Sequence, residues 1–194
     1  MTPTARRRAD PVPPCLDERG VVHTVGHSTR SLEELARCLA GHRIELLVDI
    51  RTVPRSRRVP HFNREGIEAG LAQAGYPVAY LHLPGLGGLR RSLGQRSPNR
   101  AWDNDSFRGF ADYMLTDAFA QALDSLLAMA AERRVAIMCA EAVPWRCHRS
   151  LVADALTVRG VPVRHLMSPT RCDVHRLTPF ARVEGTRITY PGPS

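Results

Sequence analysis

Between Arg134 and Ala153 the chain reads RVAIMCAEAVPWRCHRSLVA, and this stretch constrains the fold most. An apolar run of β-formers, Val135-Ala136-Ile137-Met138, ends at Cys139 and Glu141. A short loop with Pro144 and Trp145 follows, then Cys147-His148-Arg149, then a helix with Leu151, Val152 and Ala155 on one face. A buried strand, a polar turn and a helix start make the unit from which parallel sheets are built. Earlier segments repeat the pattern. Strands are predicted at 21–25, 46–50 and 78–83, and a fifth at 161–166. Between them lie a helix opened by the Ser31/Glu34 capping box and carrying Leu32, Leu35, Ala36 and Leu39, a short helix capped by Asn63 and ending at Gly75, and helical periodicity over 106–131, read as one long helix or two abutting ones. The expected fold is a single α/β domain of about five mainly parallel strands with helices on both faces, a Rossmann-like three-layer sandwich.

The flanks add little to that frame. Residues 1–20 are basic and then proline-rich, with no apolar stretch that would make a signal peptide, and are expected to be a disordered tail. Residues 21–194 are expected to form the domain, with the tail 167–194 packed on it and a hairpin turning near Glu184-Gly185. Residues 89–105 carry no period and read as a long loop, of the kind that serves as a lid or stays disordered. No apolar run reaches the roughly 18–20 residues of a membrane span. Five cysteines, scattered and odd in number, do not make a secreted disulfide framework. A cytoplasmic protein without membrane partners is expected.

Charge narrows the chemistry. The net charge is +8, and every basic residue apart from histidine is arginine. A chain without lysine forms no Schiff base, anchors no pyridoxal phosphate and has no Walker A lysine. No cofactor is implied. A GC-rich genome also favours arginine, so position matters more than number. In a parallel sheet the loops after strands one to four share one edge, where ligands bind. Those loops are GHS, RTVPRSRR, PGLGGLRR and CAEAVPWRCHR, so Arg51, Arg55, Arg57, Arg58, Arg90, Arg91, Arg146 and Arg149 should crowd one rim. Such a rim suits an anionic small molecule or a nucleic acid, with Phe62, Trp102 and Trp145 as aromatic residues able to stack on bases.

Three chemistries compete at that edge. Cys147, beside His148 and Arg149 at a helix start, has the surroundings of a low-pKa thiol, either nucleophile or redox partner of Cys139. Glu141 and His148 would move protons, unless Glu141 pairs with a rim arginine. The plainer alternative for Cys139 is a small apolar residue finishing a buried strand. Asp49 faces a similar choice, because a carboxylate ending an apolar strand is costly unless partnered or used. A metal set of Cys139, Cys147, His148 and His27 is the third chemistry, although no CxxC spacing supports it. His27, Ser28 and the glycines 87 and 88 would contact ligand, the glycines through backbone N–H groups.

The segments TVGHS (24–28), DIRTVPRSR (49–57), the Phe62-Asn63 pair, YLHLPGLGG (80–88), MCAEAVPWRCHR (138–149) and HRLTPFARVEGTRITYP (175–191) together resemble the domain of unknown function 488 family. That resemblance implies a compact α/β domain with a shared site, and no particular reaction. The positions it implies are His27, Ser28, Asp49, Arg51, Pro54, Ser56, Arg57, Gly87, Gly88, Cys139, Glu141, Pro144, Cys147, His148 and Arg149. Segment 92–105 matches least, and would set what this member binds. The readings are thus an enzyme acting on a phosphate-bearing substrate, a non-catalytic nucleic-acid or anion-binding module, and a metal site.

Overall fold

The computed structural model describes residues 20–192, so the tail predicted over residues 1–20 lies, but for Gly20, outside the described residues. Five parallel strands carry the frame: β1 (Val22–Gly26), β2 (Leu46–Asp49), β3 (Ala79–His82), β4 (Val135–Cys139) and β5 (Val163–Ser168). A sixth, β6 (Arg171–Val174), pairs antiparallel with β5 and closes one edge. The order is β3-β2-β4-β1-β5-β6. The five parallel strands are those expected, and the sixth adds to them at the edge. Its residues alternate too weakly in polarity to mark a buried strand, as an edge position allows.

The chain winds β1 to β2 to β3 in one direction through α1 (Leu32–Gly41) and α2 (Arg64–Gln73). It then returns to β4 and β5 through α3 (Asp105–Tyr113), α4 (Asp117–Glu132) and α5 (Arg149–Thr157). Right-handed crossovers in opposite directions put the two helix sets on opposite faces. Period-two alternation along the strands feeds both. Leu47 and Met138 pack with Leu35, Leu39, Ile67 and Leu71, whereas Val48 and Ile137 pack with Phe110, Leu123, Leu126 and Leu151. Each fully buried aliphatic side chain contributes about 1.5–3 kcal/mol.

The Ser31/Glu34 capping box is formed in both directions. The 106–131 periodicity is two helices, separated at Met114–Thr116 because the Thr116 hydroxyl caps α4. The predicted hairpin is present as β7 (Arg182–Glu184) and β8 (Arg187–Thr189), with Gly185 in the left-handed region at φ 61°. Asn63 departs from expectation. It stands at the start of α2, but its Oδ1 accepts the Ser56 N–H at 2.7 Å, so it pins the preceding loop rather than capping the helix.

The 89–105 segment is a loop held in place by hydrogen bonds. Asp112 of α3 gathers it: the Leu93 N–H, the Ser92 and Ser97 hydroxyls and the Asn99 amide all donate to this one carboxylate. Asn99 Oδ1 in turn accepts the Tyr190 N–H at 2.8 Å. Among the described residues no helix is long and apolar enough to cross a membrane.

Candidate active site at the carboxyl ends of the strands

β4 lies between β1 and β2, whose connections leave toward α1 and α2, while its own leaves toward α5 on the other face. Diverging connections open a crevice at the carboxyl ends of the strands. A cavity of about 510 Å³ occupies it, bordered by all four predicted loops, including His27, Ser28, Arg51, Arg55, Ser56, Arg58, Gly88, Cys139, Glu141, Cys147 and His148.

Four loops are knitted together around it. Gly26 ends β1 against the following loop of β4. A Cβ there would fall on the Glu141 carbonyl, so only glycine lets the two meet. His27 and Ser28 extend the pairing, their N–H groups donating to the Cys139 and Ala140 carbonyls at 3.0 and 2.9 Å. Ser28 then turns the chain at φ 49°, a left-handed conformation costing a non-glycine residue about 1 kcal/mol or more. The loops after β2 and β3 join where Thr52 Oγ1 accepts the Leu89 N–H at 3.0 Å and presses on Gly87. A Cβ on Gly88 would meet the His148 ring. The two glycines therefore serve close approach. The N–H groups of Gly87, Leu89 and Arg90 already have protein acceptors, which leaves little of a phosphate cradle.

Asp49 and Arg51 are each other's partners. Arg51 Nη2 lies 2.6 Å from Asp49 Oδ2, its Nε contacts both carboxylate oxygens, and its own N–H returns to Oδ1. The Tyr80 hydroxyl donates to the same carboxylate at 2.8 Å, and burial together with that charge pushes its phenol pKa up. Arg51 Nη2 also donates to the Phe62 carbonyl. Its remaining nitrogen, Nη1, lies 3.2 Å from His27 Nε2. His27 Nδ1 faces the Ser28 carbonyl at 3.0 Å, so Nδ1 carries the proton and Nε2 accepts from the guanidinium. Burial, with Arg51 nearby, lowers the His27 pKa to about 4, and the ring stacks on Phe62 at 4.4 Å.

On the far wall, Cys139 ends β4 and Cys147 precedes α5. Both are buried and free, both border the cavity, and the Cys139 thiol donates to the Glu141 carbonyl at 4.0 Å. Cys147 Sγ accepts the Arg149 N–H at 3.5 Å and lies 3.6 Å from His148 Nδ1. His148 Nε2 faces the Ile50 carbonyl at 3.3 Å, so Nδ1 is the acceptor turned toward the thiol, and burial lowers its pKa to about 4. Burial opposes charge on either sulfur. Against it, the thiol of Cys147 and the Arg149 guanidinium hold Cys139 below the usual thiol value. The Cys139 thiol and burial push Cys147 well above it. The two thiols therefore titrate as a pair.

The arginine rim is smaller than the sequence suggested. Arg51, Arg55 and Arg58 border the cavity, and exposed Arg55 also pairs with Glu65 at 3.2 Å. Arg57 is exposed but does not border it, nor do Arg91 and Arg146. Arg90 donates to the Pro84 and Gly87 carbonyls and lies over the Tyr113 ring at 3.8 Å. Arg149 is 1 % exposed and donates to the Glu141 and Ala142 carbonyls at 2.9 and 3.0 Å, holding the β4 loop from beneath. Glu141 is exposed at the cavity edge, and among the described residues no arginine forms an ion pair with it. Ser56 borders the cavity while its hydroxyl accepts the Val59 N–H. Phe62 is fully buried, so of the three aromatic residues expected to stack on bases only the two tryptophans remain. Among the described residues no group of three or more His, Cys, Asp or Glu side chains is placed to hold a metal ion, and the Cys139-Cys147-His148-His27 set does not assemble.

Sequence reading missed a second polar cluster under the tail. Asp154, within α5 and fully buried, accepts His175 Nε2 at 2.8 Å, the Thr178 N–H and hydroxyl, and the Tyr190 hydroxyl at 2.8 Å. His175 Nδ1 meets His165 Nε2 at 3.0 Å, and His165 Nδ1 meets Thr24 Oγ1 at 2.8 Å. The available signal was a carboxylate set inside the apolar run of α5, where burial demands partners.

No curated protein and no solved structure matches the chain. The family model described as Domain of unknown function DUF488 matches residues 31–156, which carry the loops after β2, β3 and β4 and therefore most of the cavity wall; the chain belongs to this family.

Proposed function

We propose that the protein is an enzyme acting on a phosphate-bearing substrate, a nucleotide or nucleic acid, with the thiol pair as its reactive group. One observation carries the reading: two buried thiols border one cavity together with three arginines and a histidine that burial keeps neutral. The substrate anion sits on Arg55 and Arg58, with Arg51 behind them. Cys139 and Cys147 act as a unit. His148 Nδ1 takes the proton of the attacking thiol as the sulfur bonds to phosphorus and the phosphorus–oxygen bond to the leaving group breaks, and the leaving oxygen takes up that proton. Water, giving a proton to Glu141 at the edge, then cleaves the sulfur–phosphorus bond, and the freed thiol regains its proton.

Alkylation rate against pH tests this in wild type, Cys139→Ser and Cys147→Ser. The expected result is one fast thiol titrating below the reference of about 8.5, lost in both variants, with turnover of phosphorylated compounds lost in parallel. An ordinary slow thiol in the wild type rejects the reading. The second reading is a non-catalytic anion- or nucleic-acid-binding module. It is favoured by the burial of both cysteines, at 2 % and 4 % exposure. Under it, Cys147→Ser leaves binding intact, while Arg58→Ala weakens binding and flattens its salt dependence.

A further inference from the structure

Beyond the thiol cavity, the loop 141–148 has a second side. Its 3-10 turn, Pro144–Arg146, separates the first cavity from another of about 450 Å³, bordered by Trp102, Trp145, His175, Arg176, Thr178 and Pro179 among others. Pro179 is shared with a third cavity of about 600 Å³, which Phe180, Arg100 and Arg182 border. Shared borders thus link the three openings in turn, the loop 141–148 bordering the first and second and Pro179 the second and third.

We infer that this line is the track of a single-stranded nucleic acid whose phosphate occupies the thiol cavity; the inference rests on the function proposed above and names its substrate class. Both tryptophans of the chain border the middle cavity. Trp102 is fixed in an aromatic cluster with Phe107, Phe180 and Tyr190 at 4.8, 5.0 and 5.4 Å, yet its Nε1 is buried without a hydrogen-bond partner. Trp145 is 65 % exposed and Phe180 42 %, large apolar faces in water at successive openings. Such surfaces, interleaved with cations, are what unpaired bases stack upon.

The cations beside them differ from those of the frame. Arg90, Arg108 and Arg149 bind loop carbonyls, whereas Arg146, Arg176 and Arg182 are exposed, and among the described residues no side-chain hydrogen bond or ion pair engages them. Of the acids along the track, Asp173 is paired with Arg171 at 3.1 Å, while Asp103, Glu141 and Glu184 remain. Charge therefore favours a polyanion only modestly, and the aromatic faces carry the selection. A duplex keeps its bases stacked inside and cannot offer them to Trp145 and Phe180.

The test is anisotropy of a labelled twelve-residue thymidine strand on the full chain, against a duplex of the same length and polyglutamate, at two salt concentrations. The strand is expected to bind well ahead of both competitors. Trp145→Ala, a surface change, should weaken it about 10-fold, as loss of one stacked base does. The Arg176→Ala/Arg182→Ala double variant should weaken it and flatten the salt slope. Equal affinity for strand and duplex, equal retention of polyglutamate, or no effect of Trp145→Ala overturns the inference. In parallel, thymidine monophosphate is tested for protection of the thiols from alkylation. Protection by the mononucleotide without strand binding defeats the track alone, while failure of both defeats the proposed function with it.

Discussion

Two buried carboxylates, Asp49 and Asp154, solve the same problem with different partners. Each stands on a regular element, each is fully excluded from water, and each pulls an irregular segment down onto the frame. Asp49 does so through a full cation. Arg51 doubles back onto it, reaches the Phe62 carbonyl, and leaves one nitrogen for His27 at the cavity wall. Asp154 holds the tail through a histidine and neutral donors, and its chain of contacts ends at Thr24, inside the sheet. The first arrangement stabilises a surface that faces a ligand. The second is closed on itself. Burying a carboxylate is costly in either case, so the lesson lies in what each leaves over: Asp49 leaves an oriented guanidinium, and Asp154 leaves nothing.

The hardest way to break this contrast is to remove Asp49. Asp49→Ala strands the Arg51 guanidinium inside the protein, and a loss of about 3–5 kcal/mol is expected, measured as a fall in urea midpoint. Asp154→Asn keeps the volume but loses charge and an acceptor. A loss of about 2–3 kcal/mol is expected, with hydrogen exchange accelerating over residues 175–190 and the thiol reactivity of the cavity unchanged. Should the thiols respond as strongly as in Asp49→Ala, the two regions are not separable.

Acid sharpens the comparison, because histidines lie in both regions. His23, His27 and His148 have pKa values lowered to about 4 and His165 to about 3, chiefly by burial. Each lies below the unfolded value of about 6.5. Between those limits the unfolded chain binds more protons, so stability falls as pH drops from about 6.5 toward 4. Urea midpoints at pH 7.5, 6 and 5 should decline together. His165→Gln should lessen the slope by about one proton, and an unchanged slope would remove that histidine from the account. The smallest effect is expected from Tyr190→Phe, which takes one donor from Asp154 and costs about 1 kcal/mol.

How much of this was legible depended on sequence distance. The strands, the capping box and the edge at which their loops gather follow from periodicity and handedness, which are local or general. The roles of particular polar side chains did not follow. Asn63 looks like a cap, and its oxygen serves Ser56; Arg149 looks like a rim cation, and it supports carbonyls from below. Arginines of the same loops bind either backbone or solvent, and spacing alone does not distinguish them. The tail network lay further out of reach, since Asp154, His175 and Tyr190 meet only after β6 has turned the chain back across α5.

Gly26 sets the depth of the thiol cavity. The loop that carries Glu141 rests on this residue so closely that one added carbon would force strand or loop aside by more than an ångström. Ala142 rides on the same contact, and through Arg149 so does the start of α5 with Cys147. The volume available to a ligand and the meeting of the two sulfurs are thus fixed by a missing methyl group on the neighbouring strand, and a family member with alanine there would need a differently seated loop before it could share this chemistry.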